Sequence, residues 1–334
     1  MCIHAPRQST AREIFIYRPY DKATIWEQRD MLYLAQAMRS DVFLWECMAL
    51  NPRYVDILQS VWMRDDLVTL TNAYPDHEDI QGPTGADVAR TISRFIPKHK
   101  TVLTAEREML PILKQRAAEQ QSTLIHVGEA AELSLPIDVL QRFPYNEHPR
   151  NIALVQRMAV ELGIDPEFAV FAMADYVVPD LGVLKVYPTT RILGRRLTFI
   201  NGCSANERAG FMNNWLRMNL HELDPRKTPE KIVVTVVNNR ADRIARSRVF
   251  ADILVSDIAF DRHFLIGTNL SGLRTYMEEA LDDLLNDLVI LDPPTQQGGF
   301  SPQEISQASA RLRHAIERFR LIDHSPHWLQ QKLD

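Results

Sequence analysis

The 334-residue sequence is poor in cysteine, in long apolar runs and in excess positive charge. Its three cysteines (Cys2, Cys47 and Cys203) are too few and too scattered for a disulfide framework or a thiolate metal site, which favours a reducing compartment. No apolar run approaches the roughly 18 residues that span a bilayer. The net charge of −5 argues against a general nucleic-acid binder, which needs a basic face. These absences predict a cytoplasmic protein with no nucleic-acid partner.

Strand-type and helix-type patterns alternate along most of the chain, which is long enough for two domains. This alternation is typical of an α/β fold, a parallel sheet covered by helices. It is interrupted at residues 133–176, which read as helices alone. We therefore predict two α/β domains, residues 1–178 and 179–334. The predicted strands are 41–49, 67–73, 100–105, 122–128, 196–202, 231–239 and 263–269, and a final helix is predicted from Ser301.

Polar residues follow two predicted strands at the edge where ligands bind in such sheets. Glu46 ends the strand 41–49, and Asp76, His77, Glu78 and Asp79 follow LVTLTNA in the stretch NAYPDHEDIQGPT. A carboxylate and an imidazole can together hold a hard divalent cation, with waters or phosphate oxygens completing its shell. Asp76 and Asp79 would orient the imidazole from outside that shell. The alternative is a hydrated turn with no ligand.

Three other segments are candidates for binding polar ligands. Residues 201–206 (NGCSAN) join a strand to a helix, which suits either an anion seat or an ordinary capped turn. Arg240, Arg243 and Arg246 recur every three residues, so we predict them near one helix face. That face would bind carboxylates or phosphates, or would simply be solvated. Asn151 is either a polar contact or a helix residue facing water.

Five motifs occur in a recognisable order and spacing: ECMALNP (46–52), NAYPDHEDIQGPT (72–84), HPRNIALVQRMAVELGID (148–165), FINGCSANE (199–207) and NNRADRIARSRVFADIL (238–254). Together they resemble the ligase subunit of poly-γ-glutamate synthase, a member of the Mur ligase superfamily. The resemblance extends from residue 10 to residue 267. Five short motifs in register make it far more specific than any one of them.

The resemblance implies a fold and an activity. Residues 1–178 would form an incomplete Mur-ligase-like central ATPase domain, and residues 179–334 a Rossmann-like C-terminal domain. The implied activity is ATP-dependent amide formation through an acyl phosphate, in poly-γ-glutamate synthesis for a capsule, with ATP and Mg²⁺ as cofactors. The implied partners are an amino-acid or polyglutamate substrate and membrane-bound synthase subunits, through which the cytoplasmic chain would reach the membrane.

The resemblance also assigns roles to individual residues. It makes Glu46 and His77 the Mg²⁺ contacts and Asn151 an adenine contact. It places Arg240 and Arg243 beside the substrate. The further nucleotide contacts that it implies are Lys185, Asn201 and Asn206.

The phosphate loop, a defining motif of the family, is missing from this sequence. The dipeptide Gly-Lys, which ends a phosphate loop, never occurs, and the first glycine is Gly82. We therefore expect a separate chain or an upstream segment to supply the loop. The alternatives are a decayed ligase that acts as a non-catalytic subunit binding an anionic polymer, and a metal-dependent hydrolase built on residues 76–79.

Overall fold

The computed structural model describes residues 2–3, 12–13, 18, 24–47, 49–223, 230–286, 301–302 and 306. The proximity of Cα atoms groups the chain into two compact units, Met1–Ala205 and Asn206–Asp334. The predicted domain boundary between residues 178 and 179 stays a prediction. The helix predicted from Ser301 lies almost wholly outside the described residues.

The first unit contains a parallel sheet of three strands in the order β3–β4–β5. Leu67 pairs with Thr101, and Thr101 in turn pairs with Thr123, so the three strands start level with one another. The strands of this unit are β1 (Cys2–Ile3), β2 (Arg12–Glu13), β3 (Leu67–Leu70), β4 (Thr101–Thr104), β5 (Thr123–His126), β6 (Lys185–Val186), β7 (Thr190–Ile192), β8 (Arg195–Leu197) and β9 (Ile200–Asn201).

Helices surround this sheet, and several begin at the caps that the sequence indicates. Thr84 Oγ1 accepts a hydrogen bond from Asp87 N at 3.2 Å, and Asp87 Oδ2 accepts one from Thr84 N at 3.3 Å, which completes a capping box. Asp165 Oδ1 caps the helix Pro166–Tyr176 by accepting a hydrogen bond from Phe168 N at 2.8 Å. The helices are α1 (Ile25–Ala37), α2 (Pro52–Ile57), α3 (Glu78–Gln81), α4 (Gly85–Ile92), α5 (Leu110–Glu119), α6 (Glu129–Leu133), α7 (Ile137–Arg142), α8 (Pro149–Glu161), α9 (Pro166–Tyr176), and the π-helical turn Leu58–Met63.

The central strand β4 is buried on both faces. Val102 and Leu103 are neighbours in the chain, both fully buried, and their side chains point to opposite sides of the sheet. Val102 packs in a cluster with Val55 of α2, whereas Leu103 packs in a cluster with Leu154 of α8. Burial on both faces is what a parallel sheet covered by helices requires, so the predicted α/β class is confirmed.

The prediction of a strand at residues 41–49 is wrong for those of its residues that the structure describes. Residues 41–47 and 49 form no strand, although exposure alternates along the segment: Val42 and Leu44 are 67% and 75% exposed. Trp45 and Cys47 pack inward against the core. A strand needs a hydrogen-bonded ladder as well as alternation, and no described strand pairs with this segment. The strand predicted at 196–202 is divided between β8 and β9, which pair with different strands.

The second unit contains two parallel strands, β10 (Val234–Asn239) and β11 (Arg262–Gly267). Its helices are α10 (Arg208–Arg217), α11 (Ile244–Asp252) and α12 (Leu270–Asn286), with a 3₁₀ turn at Leu220–Glu222 and a π-helical turn at Ile253–Asp257. The core packs the sheet against Trp215, Ile253 and Leu254. None of the described helices in the chain combines the length and the apolar character that crossing a bilayer requires.

Candidate functional site

The carboxyl ends of β3, β4 and β5 lie at one edge of the sheet because the three strands are parallel. Three loops leave this edge, residues 71–77 after β3, 105–109 after β4 and 127–128 after β5. In open α/β sheets this edge is where ligands bind. The predicted residue His77 lies in the first of these loops.

His77 is held in an unusual backbone conformation beside a carboxylate. Its φ of +54° lies in the left-handed region, which non-glycine residues seldom adopt and which recurs at functional sites. Its N–H donates to Asp76 Oδ1 at 2.9 Å, and its Nε2 lies 3.6 Å from Asp76 Oδ2. Its carbonyl accepts from Ile80 N at 2.9 Å, at the start of α3. Asp76 therefore lies beside the imidazole, and its predicted role in orienting the ring stays a prediction, while the side chains of Glu78 and Asp79 lie outside the described residues.

Glu46 lies in the extended segment that precedes α2, with an exposed side chain. The backbone around it is anchored at two points. Its carbonyl accepts a hydrogen bond from the buried Gln28 Nε2, and Trp45 Nε1 donates to Asp65 Oδ1 at 2.7 Å. Burial raises the pKa of Asp65 above its ordinary value. The pairing of Glu46 with His77 around a cation stays a prediction.

Glu106 is a buried acid at the same edge that the sequence patterns did not single out. The residue is 5% exposed, and its Oε2 and Oε1 accept from Ala73 N at 2.7 Å and Met109 N at 3.1 Å. Its own N–H donates to Thr104 Oγ1 at 3.0 Å, and that hydroxyl donates to Leu70 O at 2.8 Å. These bonds tie the ends of β3 and β4 together. The sequence signal for it is an acid placed directly after an apolar strand.

Asn151 lies in the first turn of α8 with its side chain exposed. Its Nδ2 donates to Glu147 Oε1 at 2.9 Å, and His148 Nδ1 caps the helix by accepting from Arg150 N at 3.1 Å. Arg150 Nη1 lies 3.3 Å from the hydroxyl of Tyr74, in the loop that carries His77. The start of α8 is therefore linked to that loop, although adenine binding by Asn151 is untested.

Lys185 and Asn201 are brought together by the structure. They are paired residues on the antiparallel strands β6 and β9. Asn201 Nδ2 donates to Leu181 O at 2.6 Å, and Lys185 Nζ lies 5.4 Å from the centre of the Tyr187 ring. Two residues that the resemblance implies as nucleotide contacts are thus adjacent on one strand pair.

Asn206 lies just before α10, in a turn with partly buried residues. The helix itself is capped by Glu207, whose Oε1 accepts from Gly210 N at 2.8 Å. A carboxylate already occupies one first-turn N–H donor, which fits the ordinary capped turn better than an anion seat. The assignment of Asn206 to the nucleotide stays a prediction.

Arg240 and Arg243 surround one carboxylate after β10. Arg240 Nε and Nη2 donate to the two oxygens of Asp242 at 3.0 and 2.8 Å, and Arg243 Nε lies 3.6 Å from Asp242 Oδ2. These contacts lower the pKa of Asp242, hydrogen bonding from Arg240 being the largest cause. The prediction that Arg240, Arg243 and Arg246 share a helix face is wrong, because α11 begins at Ile244 and only Arg246 lies within it.

Asn239, at the end of β10, fixes the path of the chain into this arginine turn. It is 6% exposed, and its Nδ2 donates to Thr268 O at 2.8 Å and to Asn269 O at 3.2 Å. Its Oδ1 accepts from Ser247 Oγ at 2.7 Å. The amide thereby connects β10, the end of β11 and α11, and it positions Arg240 next in the chain.

The metal site predicted in the first unit has two protein ligands, Glu46 and His77. Across the residues that the structure describes, no three His, Cys, Asp or Glu side chains form a group that could hold a metal ion. Mg²⁺ is commonly bound through one or two carboxylates, with substrate phosphates and waters supplying the other oxygens. The Mg²⁺ site predicted at Glu46 and His77 would be of this kind, and it stays a prediction.

Comparison with known proteins identifies the relatives of the chain. Residues 186–316 match the model of the poly-gamma-glutamate synthase CapB C-terminal domain. The chain is 28% identical over 281 residues to PGA synthase CapB of Bacillus subtilis (strain 168), a match that takes in 84% of this chain and 69% of that protein. The resemblance to poly-γ-glutamate synthase is confirmed.

A second CapB protein and two solved structures are also similar. The capsule biosynthesis protein CapB of Bacillus anthracis is 28% identical over 302 residues, 89% of this chain and 60% of that protein. A single-residue mutant of L. casei FPGS matches with a TM-score of 0.44 at 11% identity, over 86% of this chain and 64% of that one. E. coli FolC in complex with DHPP and ADP matches with a TM-score of 0.39 at 14% identity, over 64% and 61%.

Proposed function

We propose that this chain forms the larger part of an ATP-dependent amide ligase that lengthens poly-γ-glutamate. One observation carries the proposal: the similarity to PGA synthase CapB extends over 84% of the chain. The polar groups at the carboxyl edge of the first sheet support it, since this edge is where α/β proteins bind their ligands. The amine acceptor in this proposal is glutamate.

In the first unit, we assign Glu46 and His77 to Mg²⁺. Asp76, 3.6 Å from the ring of His77, would keep the imidazole oriented. Bound there, Mg²⁺ supplies neutralisation of the phosphate oxygens of ATP. Asn151, at the start of α8, would contact the adenine.

The remaining nucleotide contacts in the proposal are Lys185, Asn201 and Asn206. In the second unit, Arg240 and Arg243 would bind carboxylates of the substrate. Asp242 already pairs with both guanidinium groups, so a substrate carboxylate would share or displace it. Arg240 is suited to this because its side chain is 63% exposed.

The proposed reaction has two steps. A carboxylate oxygen of the growing chain attacks the γ-phosphorus of ATP, and ADP leaves with the electron pair of the broken bond. The amine of glutamate then attacks the acyl carbon, phosphate leaves, and the nitrogen loses a proton. Because both reactants of the first step are anions, cationic groups that neutralise the phosphate oxygens are needed before they can meet.

The phosphate loop is assigned to another segment. The sequence has no Gly-Lys dipeptide, so we propose that an upstream segment or a separate chain supplies the loop, and that the membrane-bound subunits of a synthase are partners. The matches take in 69% and 60% of the two CapB relatives, so each relative has segments that this chain does not match.

A second candidate function is a non-catalytic subunit that binds an anionic polymer. The exposed guanidinium of Arg240 and the missing Gly-Lys dipeptide favour it. It predicts polyglutamate binding that weakens with salt, is indifferent to ATP, and is lost in Arg240→Ala. Arg248→Ala is the matched control, because Arg248 is 61% exposed and also pairs with a carboxylate, that of Glu279.

Phosphate release from ATP distinguishes the two functions. It should be measured with and without glutamate, on this chain and on a version extended upstream. A ligase releases phosphate only when glutamate is present, and the extended version should be the more active. Polyglutamate binding with no glutamate-dependent phosphate release from either version would reject the ligase in favour of the second candidate.

A further inference from the structure

Glu106 is a buried carboxylate without a cationic partner among the described residues. Burying a carboxylate is costly unless hydrogen bonds replace its lost hydration. Here the replacement comes from two backbone N–H groups, those of Ala73 at 2.7 Å and Met109 at 3.1 Å. Hydrogen bonds to an ionised acceptor are stronger than neutral ones, so Glu106 is a strong point of attachment for both segments.

One of these segments is the loop that carries His77. Ala73 lies four residues before His77, is 3% exposed, and packs with Val88 and Ala89 of α4. The backbone at Gly85, the first residue of α4, also lies close to Ala73. A Cβ at Gly85 would be only 3.1 Å from Ala73 O. The bond from Glu106 therefore fixes the root of the loop against α4.

Thr104 fixes the position of the Glu106 backbone relative to the end of β3. Its Oγ1 accepts from Glu106 N at 3.0 Å and donates to Leu70 O at 2.8 Å, and its side chain is fully buried. The carboxylate is thus placed from the last residue of β4, and the same hydroxyl holds the last residue of β3. The start of the loop after β3 is therefore held in place by a residue of β4.

We propose that Glu106 is the positioning residue for His77. It sets the position of the imidazole by holding Ala73 and Met109, whose N–H groups donate to its two carboxylate oxygens. The effect on Mg²⁺ rests on the proposed function, whereas the effect on the loop does not. A carboxylate is needed because a glutamine offers one acceptor oxygen and a donor NH₂, which cannot accept from the second N–H.

The test compares Glu106→Gln with Glu119→Gln in the full chain. Glu119 lies at the far end of α5, is exposed, and pairs with Arg116, so its substitution controls for the loss of one carboxylate. Hydrogen exchange is measured by mass spectrometry on a peptide spanning residues 71–81. We expect exchange about tenfold faster or more in Glu106→Gln, the factor that corresponds to losing one hydrogen bond to a charged group, and no change in Glu119→Gln.

A second measurement separates positioning from a purely structural role. In Glu106→Gln, the Mg²⁺ concentration needed for half-maximal ATP binding should rise about tenfold, while metal-free ATP binding stays unchanged. Thr104→Val repeats both readouts if Glu106→Gln fails to fold. Unchanged exchange in a folded variant overturns the proposal, as does faster exchange with the same Mg²⁺ requirement. ATP binding is measured with the segment that supplies the phosphate loop present; if the wild-type chain then binds no Mg·ATP, the proposed function fails, and the exchange rates alone decide the role of Glu106.

Discussion

Acidification should destabilise the second unit through His263. This residue lies on β11, where its Nδ1 hydrogen-bonds Thr235 Oγ1 and its Nε2 lies 3.2 Å from Leu254 O. Its ring also packs on Phe260. Burial lowers the pKa of His263 to about 4, while the contact with Leu254 raises it by a smaller amount. The folded chain therefore favours the neutral imidazole.

The sign and the size of the effect follow from linkage. An unfolded histidine has a pKa near 6.5, so the unfolded chain binds more protons between pH 6.5 and pH 4. The stabilisation from neutral His263 is fully present above pH 6.5 and is lost as the pH falls towards 4. Between pH 7 and pH 5 the full shift corresponds to about 2 kcal/mol. Because the ring is only half-buried, solvent screening reduces this to about 1 kcal/mol.

Urea unfolding at a series of pH values from 7 to 5 measures this loss. The free energy of unfolding of His263→Gln should fall less steeply with acid than that of the wild type, by about 1 kcal/mol over the range. His221→Gln is the control, since His221 is exposed in the 3₁₀ turn. Equal pH slopes for the wild type and His263→Gln would refute the reasoning.

Two other predictions concern backbone strain and thiol reactivity. Gly267→Ala should lower the free energy of unfolding by on the order of 2 kcal/mol or more, because its φ is +99° and the new Cβ would lie 2.2 Å from Asn239 O. Gly163→Ala, with φ +72° and nothing within 4 Å of the Cβ, should cost only about 1 kcal/mol; equal losses in urea unfolding would contradict the clash. At pH 8 a thiol reagent should label the exposed Cys203 before Cys47, whose pKa burial raises to about 12, and peptide mapping that finds Cys47 labelled first would refute this.

Much of the fold could be predicted from local signals in the sequence. In the Thr84–Asp87 capping box and in the Asp165 cap, the two partners are three residues apart. A short stretch of sequence therefore contains each whole interaction. The strands β3, β4 and β5 are apolar runs separated by helices, a pattern that fixes both their type and their parallel order. His77 was predicted from the same kind of signal, since it lies in the loop that follows such a run, and its role stays a prediction.

Contacts between distant residues account for what the sequence did not predict. Residues 41–47 alternate as a strand does, but alternation does not say whether a neighbouring strand completes the ladder. Three arginines three residues apart suggest a helix face, whereas Asp242 pairs with two of them before α11 begins. The role of Glu106 could not be predicted from local sequence, because its bond to Ala73 spans 33 residues.

Calorimetric titration with ATP in the presence and absence of Mg²⁺ tests the central claim, that the loop after β3 binds the nucleotide through a metal ion. The three proteins to compare are the wild type, His77→Ala and His99→Ala, each with the segment that supplies the phosphate loop. His99 is the matched control because its φ of +57° is also left-handed, it is exposed, and it lies just before β4 at the opposite edge of the sheet. The account predicts Mg²⁺-dependent binding that weakens about tenfold or more in His77→Ala and is unchanged in His99→Ala. Equal affinities for all three proteins, or binding that does not depend on Mg²⁺, would contradict it.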